Sequence, residues 1–233
     1  MDYVSLHDFS CTESEMKDIQ LSLSKSVQQD VNVKNPQVIS GVDISYMPHS
    51  QCAVCCMVTM DLHDLSILET IYHVADVDIP YMPGYLSFRE LPLFLGVWEK
   101  ATIRPDIVFF DGNGILHPRG LGLASHASFF IGTPTIGVAK TPTVAYAMPH
   151  MDKGSMSNIL MEGEKRGVAL RTQKGVKPIF VSTGNLVPLD QAVELVLQLS
   201  RPDGVIMSQP SRIPAITRIP DILSREYIRK HLR

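Results

Sequence analysis

Residues 107–114 read Ile107-Val108-Phe109-Phe110-Asp111-Gly112-Asn113-Gly114, an unbroken apolar run that ends in a carboxylate beside two glycines. Such a run is typical of a strand buried on both faces, as in a parallel sheet. Open α/β sheets place their chemistry at the carboxyl ends of such strands. Asp111 is therefore a candidate site residue, and the alternative is an aspartate that only begins a turn.

The order of elements around this strand follows from periodicity and capping signals. Thr12 to Glu15 forms a capping-box pattern and opens a helix that carries Met16, Ile19, Leu23 and Val27 and ends before Asn35-Pro36. Three strands with short connections then indicate an antiparallel meander. A second capping box, Ser87 to Glu90, predicts the next helix. The predicted strands are 37–47, 52–62, 66–77, 106–111, 135–140, 167–172 and 178–182, and the later helices are 121–131, 189–200 and a basic last helix.

This order predicts an α/β fold: a ribonuclease H-like mixed sheet, in which three antiparallel strands precede alternating helix and strand, with flanking helices. The analogy concerns the fold and leaves the function open. We expect a single domain over 1–233, with an N-terminal helix region (1–36), a catalytic core (37–140) and a basic C-terminal part (141–233).

Composition narrows the class of protein. The chain has 233 residues, 45% of them hydrophobic, and no run near the roughly 20 apolar residues of a membrane span. The N-terminus lacks the basic start and apolar core of a signal peptide. Four cysteines are too few for a disulfide scaffold, and Cys52, Cys55 and Cys56 are interpreted as strand packing. We expect a cytoplasmic protein, or a nuclear one in a eukaryote.

Charge is divided unevenly along the chain. Residues 1–162 hold 9 Lys and Arg against 18 Asp and Glu, whereas residues 163–233 hold 12 against 6. The basic third includes Lys165, Arg166 and Arg171 and a tail that ends at Arg233. This partition suits a protein that gathers carboxylates at one site and meets a polyanion with another surface. The alternative is a solvated basic face.

Three carboxylates are expected to converge. Asp43 lies within a strand pattern, where an unpaired charge is costly and calls for a cation or a cluster of donors. Glu90 lies in the first turn of its helix, and Asp111 ends the later strand. Oxygen-rich sites of this kind bind hard ions such as Mg²⁺ or Mn²⁺ and favour phosphodiester hydrolysis. The alternatives are a hydrogen-bonded core group for Asp43 and a capping-box partner for Glu90.

Two further side chains belong to the same hypothesis. Lys140 ends the strand that is expected beside Asp111, and its ammonium could stabilise a reacting phosphate. The alternative is a strand-end lysine that reaches to solvent. His117 follows Asp111 by six positions and could contact nucleic acid.

Several blocks in order resemble the endonuclease V family, the deoxyinosine 3′ endonucleases, and they cover 37–140 well and extend more weakly to about 220. The blocks are Gly41-Val42-Asp43-Ile44-Ser45-Tyr46, Pro80-Tyr81-Met82-Pro83-Gly84-Tyr85-Leu86-Ser87-Phe88-Arg89-Glu90, Asp111 to Arg119 with Gly122 to His126, and Pro134 to Lys140. Long blocks in order are far more specific than one short motif.

The resemblance implies Mg²⁺-dependent hydrolysis of the second phosphodiester 3′ to inosine, the product of adenine deamination, in the repair of DNA; Mn²⁺ is a substitute. It implies that Asp43 and Asp111 are metal ligands, that Glu90 acts beside the metal directly or through water, and that Lys140 stabilises the phosphate. The proline-stiffened loop around Tyr81 would be a wedge at the lesion. The flipped base would enter a pocket. Its predicted residues are Gly84, Leu86, Gly112, Gly114 and His117, and the wedge residues Tyr81 and Pro83 complete the predicted substrate-binding set.

The last third departs from the family. Many bacterial members carry histidine in a Ser-x-Gly-His stretch, where this chain has Asn185, which cannot titrate near neutral pH. The expected partner is nucleic acid that contains inosine. We expect the protein to be a monomer that does not associate with a membrane. The alternatives are an inosine-specific endoribonuclease, a junction-type nuclease, which would not need the Tyr81 loop, and a non-catalytic inosine-binding module.

Overall fold

The computed structural model describes residues 1–200 and 211–232. It contains one eight-stranded mixed sheet with helices on both faces. The strands are β1 (Val38–Tyr46), β2 (Cys52–Asp61), β3 (Ile67–Asp76), β4 (Ile107–Phe110), β5 (Thr135–Ala139), β6 (Met156–Met161), β7 (Glu164–Leu170) and β8 (Ile179–Asn185). The helices are α1 (Glu13–Ser24), α2 (Leu86–Lys100), α3 (Leu123–Ile131), α4 (Leu189–Leu199) and α5 (Ala215–His231).

The strand order is β3-β2-β1-β4-β5-β8-β7-β6. β1, β2 and β3 form the predicted antiparallel meander, and β4 pairs in parallel with β1 on one side and with β5 on the other. The parallel strands at the centre put the carboxyl ends of β1 and β4 next to each other. The predicted mixed sheet is thus confirmed, and the two strands that carry Asp43 and Asp111 are neighbours.

The apolar run of β4 is buried on both faces, as predicted. Phe109 packs into a core with α4 and α5, while Val108 and Phe110 pack into a second core with α2 and α3. Successive side chains of a strand point to opposite faces, so a strand between two helical layers must be apolar at every position. The sheet therefore forms the middle layer of three.

Three local predictions were wrong. β6 was not predicted, because it is a short strand on the sheet edge in which only Ile159 is buried and Met156 and Leu160 are exposed, so it shows no clear alternation of apolar and polar residues. Helix α1 keeps its predicted capping box but ends at Ser24, so Val27 lies beyond it. Helix α2 begins at Leu86 with Tyr85 as its N-cap and no side-chain cap, so Ser87 and Glu90 form no capping box.

Close packing brings α5 onto the centre of the sheet. Gly41 of β1 makes this possible, because a Cβ atom there would lie 1.6 Å from the carbonyl oxygen of Ile216. In residues 1–200 and 211–232 no helix is both long and apolar enough to cross a membrane. Cys52, Cys55 and Cys56 are free thiols in β2, and the last two are buried as predicted.

Candidate active site

Four carboxylates line one cavity of about 550 Å³ at the carboxyl ends of β1 and β4. Asp43 and Asp111 come from these strands, Glu90 from α2 and Asp221 from α5. The structure thus brings together all three acids expected from the sequence and adds a fourth. Burial in one cavity makes their charges interact strongly.

Asp43 is tied to α5. Its Oδ2 accepts a hydrogen bond from the Ser224 hydroxyl at 3.0 Å, and the Ser45 hydroxyl lies 2.8 Å from that of Ser224. Burial raises the pKa of Asp43 to about 7, and the charges of Asp111 and Asp221 act in the same direction. Ser224 and Lys140 favour the ionised form but do not offset burial. Asp43 is therefore a carboxylate that lacks sufficient positive charge nearby.

The Glu90 carboxylate is bound by the side chain of Tyr46 and takes no part in capping its own helix. The Tyr46 hydroxyl donates to Glu90 Oε1 at 2.9 Å, and Arg89 Nε donates to the Tyr46 oxygen at 3.1 Å. Burial raises the pKa of Glu90 to about 8, helped by the charges of Asp43 and Asp111 and opposed by the Tyr46 hydrogen bond. Ser87, the expected capping partner, contacts His126 Nδ1 at 2.9 Å instead.

Lys140 provides the central positive charge of the cavity. Its Nζ forms an ion pair with Asp111 Oδ2 and lies 3.5 Å from Asp221 Oδ2. Arg225 lines the rim, with its Nε 2.6 Å from Asp221 Oδ1. The ammonium thus offsets the negative charge of Asp111 and Asp221. A cation bound in the same cavity would have the same effect.

The donor set suits a hard divalent ion. Within the described parts of the chain, no three His, Cys, Asp or Glu side chains are arranged to enclose a metal as they stand. Four carboxylates and one ammonium nevertheless share the cavity, and burial raises the pKa of two of them. Such a cluster gains stability from added positive charge, and carboxylate oxygens are the ligands that Mg²⁺, Mn²⁺ and Ca²⁺ prefer. The residues present therefore fit a metal site, once Lys140 releases Asp111.

A second cavity of about 430 Å³ adjoins the first. Residues 111–113 lead from one to the other, since Asp111 lines the acidic cavity and Asn113 lines the second. Helix α2 also reaches both, with Leu86 one turn before Glu90. Three of the five residues predicted for the base pocket line this cavity, Gly84, Leu86 and His117, together with the wedge-loop residues Tyr81 and Pro83.

Gly112 and Gly114 are not among the residues that line the second cavity. The Gly114 N–H donates to the Ser182 hydroxyl at 2.9 Å, so this glycine packs against β8. His117 lies in the wall with both ring nitrogens engaged. Its Nε2–H donates to the Gly84 carbonyl at 3.0 Å, and its Nδ1 accepts from the Arg119 N–H at 3.2 Å. Burial lowers the pKa of His117 to about 4, so the ring is neutral.

Tyr81 lies at the tip of the loop before α2, with 67% of its surface exposed. The root of this loop is held by Arg89, whose guanidinium donates to the Ile79 carbonyl. A fixed root with an exposed aromatic tip is the geometry expected of a residue that inserts into a nucleic acid.

Asn185 lies outside the acidic cavity. Its side chain accepts from the Gln28 N–H at 2.8 Å and donates to the Ser128 hydroxyl at 3.2 Å, so it joins β8 to α3 and to the segment after α1. Among the basic residues of the last third, Arg171 and Arg212 donate to backbone carbonyls, and Arg233 lies outside the described residues.

Sequence reasoning missed Asp221, Tyr46 and Ser224. Asp221, Ser224 and Arg225 are spaced at one helical turn, which places them on one face of α5. This spacing is the sequence signal that could have indicated a functional face on α5. It does not show on which face of the sheet α5 packs.

The comparisons with known proteins agree on one family. The family model described as Endonuclease V matches residues 21–221. An Endonuclease V from Petrotoga mobilis is 42% identical over 219 residues, 94% of this chain and 95% of the relative. The crystal structure of the Bacillus subtilis Endonuclease V superposes with a TM-score of 0.89 at 31% identity and covers 99% of both chains. A Ciona intestinalis Endonuclease V in complex with DNA containing an inosine has a TM-score of 0.78 at 26% identity, over 93% of this chain and 98% of the other.

Proposed function

The chain belongs to the endonuclease V family, a family of metal-dependent nucleases, and we propose that it hydrolyses the second phosphodiester bond 3′ to inosine in nucleic acid. The observation that carries this proposal is the pair of adjoining cavities. One gathers four carboxylates and a lysine, and the other has no carboxylate in its lining and lies beside an exposed aromatic tip. Cleavage next to a recognised base needs both.

The carboxylates would hold the metal, which we propose to be Mg²⁺ with Mn²⁺ as a substitute. Asp43 and Asp111 would be ligands, Glu90 would act directly or through water, and Asp221 adds a fourth carboxylate. When bound, the ion would supply Lewis-acid stabilisation of the charge that develops on the phosphate oxygens.

The remaining groups have positioning and electrostatic roles. Lys140 would leave Asp111 and stabilise the reacting phosphate through its ammonium. The Tyr46 hydroxyl orients Glu90 toward the cavity. The wedge residue Tyr81 would stack where the lesion base has left the helix, while the base enters the cavity lined by Gly84, Leu86 and His117. The protein would act in the cytoplasm, or in the nucleus of a eukaryotic host.

The test measures cleavage of matched single-stranded and duplex DNA and RNA oligonucleotides, each with or without one inosine, in Mg²⁺ and in chelator. We expect cutting 3′ to inosine that requires the metal. Whether DNA or RNA is cut faster distinguishes a role in DNA repair from a role in the turnover of inosine-containing RNA. Cutting that persists in chelator would contradict the metal site.

The matched variant is Asp43→Asn, which keeps the shape and the Ser224 hydrogen bond but removes the charge. We expect a loss of rate of about 10²–10³-fold or more, with binding of inosine oligonucleotides retained. Asp190→Asn, an exposed acid on α4 paired with Lys165, is the control and should cut at the normal rate. A normal rate for Asp43→Asn would remove this residue from the site.

A further inference from the structure

Two buried hydroxyls meet the Asp43 carboxylate from one side. The Ser224 hydroxyl lies 3.0 Å from Asp43 Oδ2 and 2.8 Å from the Ser45 hydroxyl, which is itself 3.5 Å from the same carboxylate oxygen. Ser224 is 0% exposed and Ser45 is 9% exposed. A buried hydroxyl is costly unless it is paired, so the three side chains stabilise one another in a fixed arrangement.

The distances indicate the direction of these hydrogen bonds. Each hydroxyl has one hydrogen to donate. Ser224 has two acceptors within reach, Asp43 Oδ2 and the Asp221 carbonyl at 3.1 Å, and the carboxylate, when ionised, is the stronger acceptor. Ser45 lies closer to the Ser224 oxygen than to the carboxylate. The hydrogen bonds therefore run from Ser45 to Ser224 and from Ser224 to Asp43.

This pair of hydrogen bonds fixes the orientation of the Asp43 carboxylate. Oδ2 is bound by Ser224, whereas Oδ1 accepts no hydrogen bond from residues 1–200 or 211–232. Since Asp43 lines the acidic cavity, Oδ1 is the oxygen that is available to a cation there. Groups that hydrogen-bond to a metal ligand orient it, and their loss typically lowers metal affinity about 10–100-fold.

Helix α5 supplies both Ser224 and the fourth acid of the cavity. Asp221 and Ser224 are three positions apart, so they lie on the same face of this helix. The close approach of Ile216 to Gly41 brings α5 against β1, the strand that carries Asp43. The packing of α5 on β1 thus determines the orientation of one carboxylate and the position of a second.

We propose that Ser224, supported by Ser45, is a positioning residue that sets the affinity of the acidic cavity for a divalent cation. It fixes Asp43 with Oδ1 free, so a cation does not have to order this carboxylate as it binds. Ser224 acts through Asp43 and is not itself a ligand. The inference rests on the proposed function, because it concerns the metal site of that activity.

The test measures the binding of Mn²⁺ to wild type and to Ser224→Ala by electron paramagnetic resonance, in which the signal of free Mn²⁺ is lost on binding. We expect the Kd for Mn²⁺ to rise about 10–100-fold in the variant. The Mg²⁺ concentration that gives half-maximal cleavage of an inosine oligonucleotide should rise in parallel.

Ser40→Ala is the matched control. Ser40 lies on β1 as Asp43 does, is 0% exposed, and shares a hydrogen bond of 2.8 Å with the Thr59 hydroxyl. Its side chain points to the opposite face of the strand, because it is three positions from Asp43. Each variant loses one buried hydrogen bond, so both should lower the Tm. Only Ser224→Ala should raise the Kd for Mn²⁺.

Ser224→Cys provides a second variant if the alanine variant does not fold. It keeps the size of the side chain, but a thiol is a weak donor, so the Kd should again rise. An unchanged Kd in a folded Ser224 variant would overturn the inference, and so would an equal rise in Ser40→Ala. If wild type binds Mn²⁺ but cuts no inosine substrate, the proposed function fails, while the binding data still test the role of Ser224.

Discussion

At the level of single residues, Tyr46 determines where the Glu90 carboxylate lies. Its hydroxyl bridges Glu90 Oε1 and Arg89 Nε, and the Arg89 guanidinium also lies 4.7 Å from the centre of the Tyr46 ring. Hydrogen bonds to charged groups stabilise by about 1.5–3 kcal/mol. Without the hydrogen bond from Tyr46, the Glu90 carboxylate would be free to rotate within the cavity.

Tyr46→Phe removes only the hydroxyl. We expect kcat for inosine cleavage to fall about 10–100-fold, because one charge-assisted hydrogen bond is lost, while KM stays within about twofold. Tyr72→Phe, on the neighbouring β3 and stacked on Tyr227, is the control and should keep normal kinetics. A Tyr46→Phe enzyme with unchanged kcat would show that Glu90 needs no such support.

At the level of elements, the loop before α2 combines a fixed root and a free tip. The Ile79 carbonyl is bound by Arg89, and the Tyr85 N–H donates to the Met82 carbonyl at 3.0 Å, whereas Tyr81 is exposed. Two prolines further lower the entropy lost on binding. The loop thus exposes Tyr81, while its neighbours Ile79 and Met82 pack against the core cluster of Met16, Tyr85 and Phe88.

Tyr81→Ala should weaken binding of inosine oligonucleotides about 5–150-fold, the range that one aromatic–base stack contributes. The Tm should not change, since the ring is exposed. Leu160→Ala, an equally exposed apolar side chain on β6, is the control and should alter neither property. Unchanged affinity for Tyr81→Ala would remove the wedge role.

At the level of the whole molecule, burying the carboxylates of the acidic cavity lowers the stability of the folded protein when they are ionised. The pKa of Asp43 is raised to about 7 and that of Glu90 to about 8, above the values near 4 of an unfolded chain. The folded state therefore binds more protons than the unfolded state. The stability these groups contribute is present below about pH 4 and is lost as the pH rises through 7 to 8.

A divalent cation should offset this loss. In Mg²⁺ at about 100 times its Kd, we expect the Tm to rise about 5–10 °C at pH 8.5, because the carboxylates are then ionised. At pH 5, where Asp43 and Glu90 are protonated, the rise should be much smaller. Thermal unfolding with Mg²⁺ and with chelator measures both shifts, and Asp43→Asn should reduce the shift at pH 8.5. Equal shifts at the two pH values would contradict the pKa argument.

Local patterns in the sequence were sufficient for most of the fold. The doubly buried run of β4, the meander of β1 to β3 and the capping box of α1 each depend on residues close in the chain, and each is confirmed. The structure also brings Asp43, Glu90, Asp111 and Lys140 into one cavity, as expected, while their roles in catalysis stay a prediction. Asp43 lies within β1, Asp111 and Lys140 directly follow β4 and β5, and Glu90 lies near the start of α2, so the order of elements predicts that they meet.

Only the tertiary structure decided what surrounds these acids. Asp221 joins them because α5 packs against β1 at Gly41, a contact between segments more than 170 residues apart. Glu90 pairs with Tyr46, and Ser87 with His126, because packing of α2 offers these groups better partners than a helix cap. Gln20 reaches Gly84 from α1 for the same reason. Side-chain partners distant in the chain depend on how the layers pack, which local periodicity does not encode.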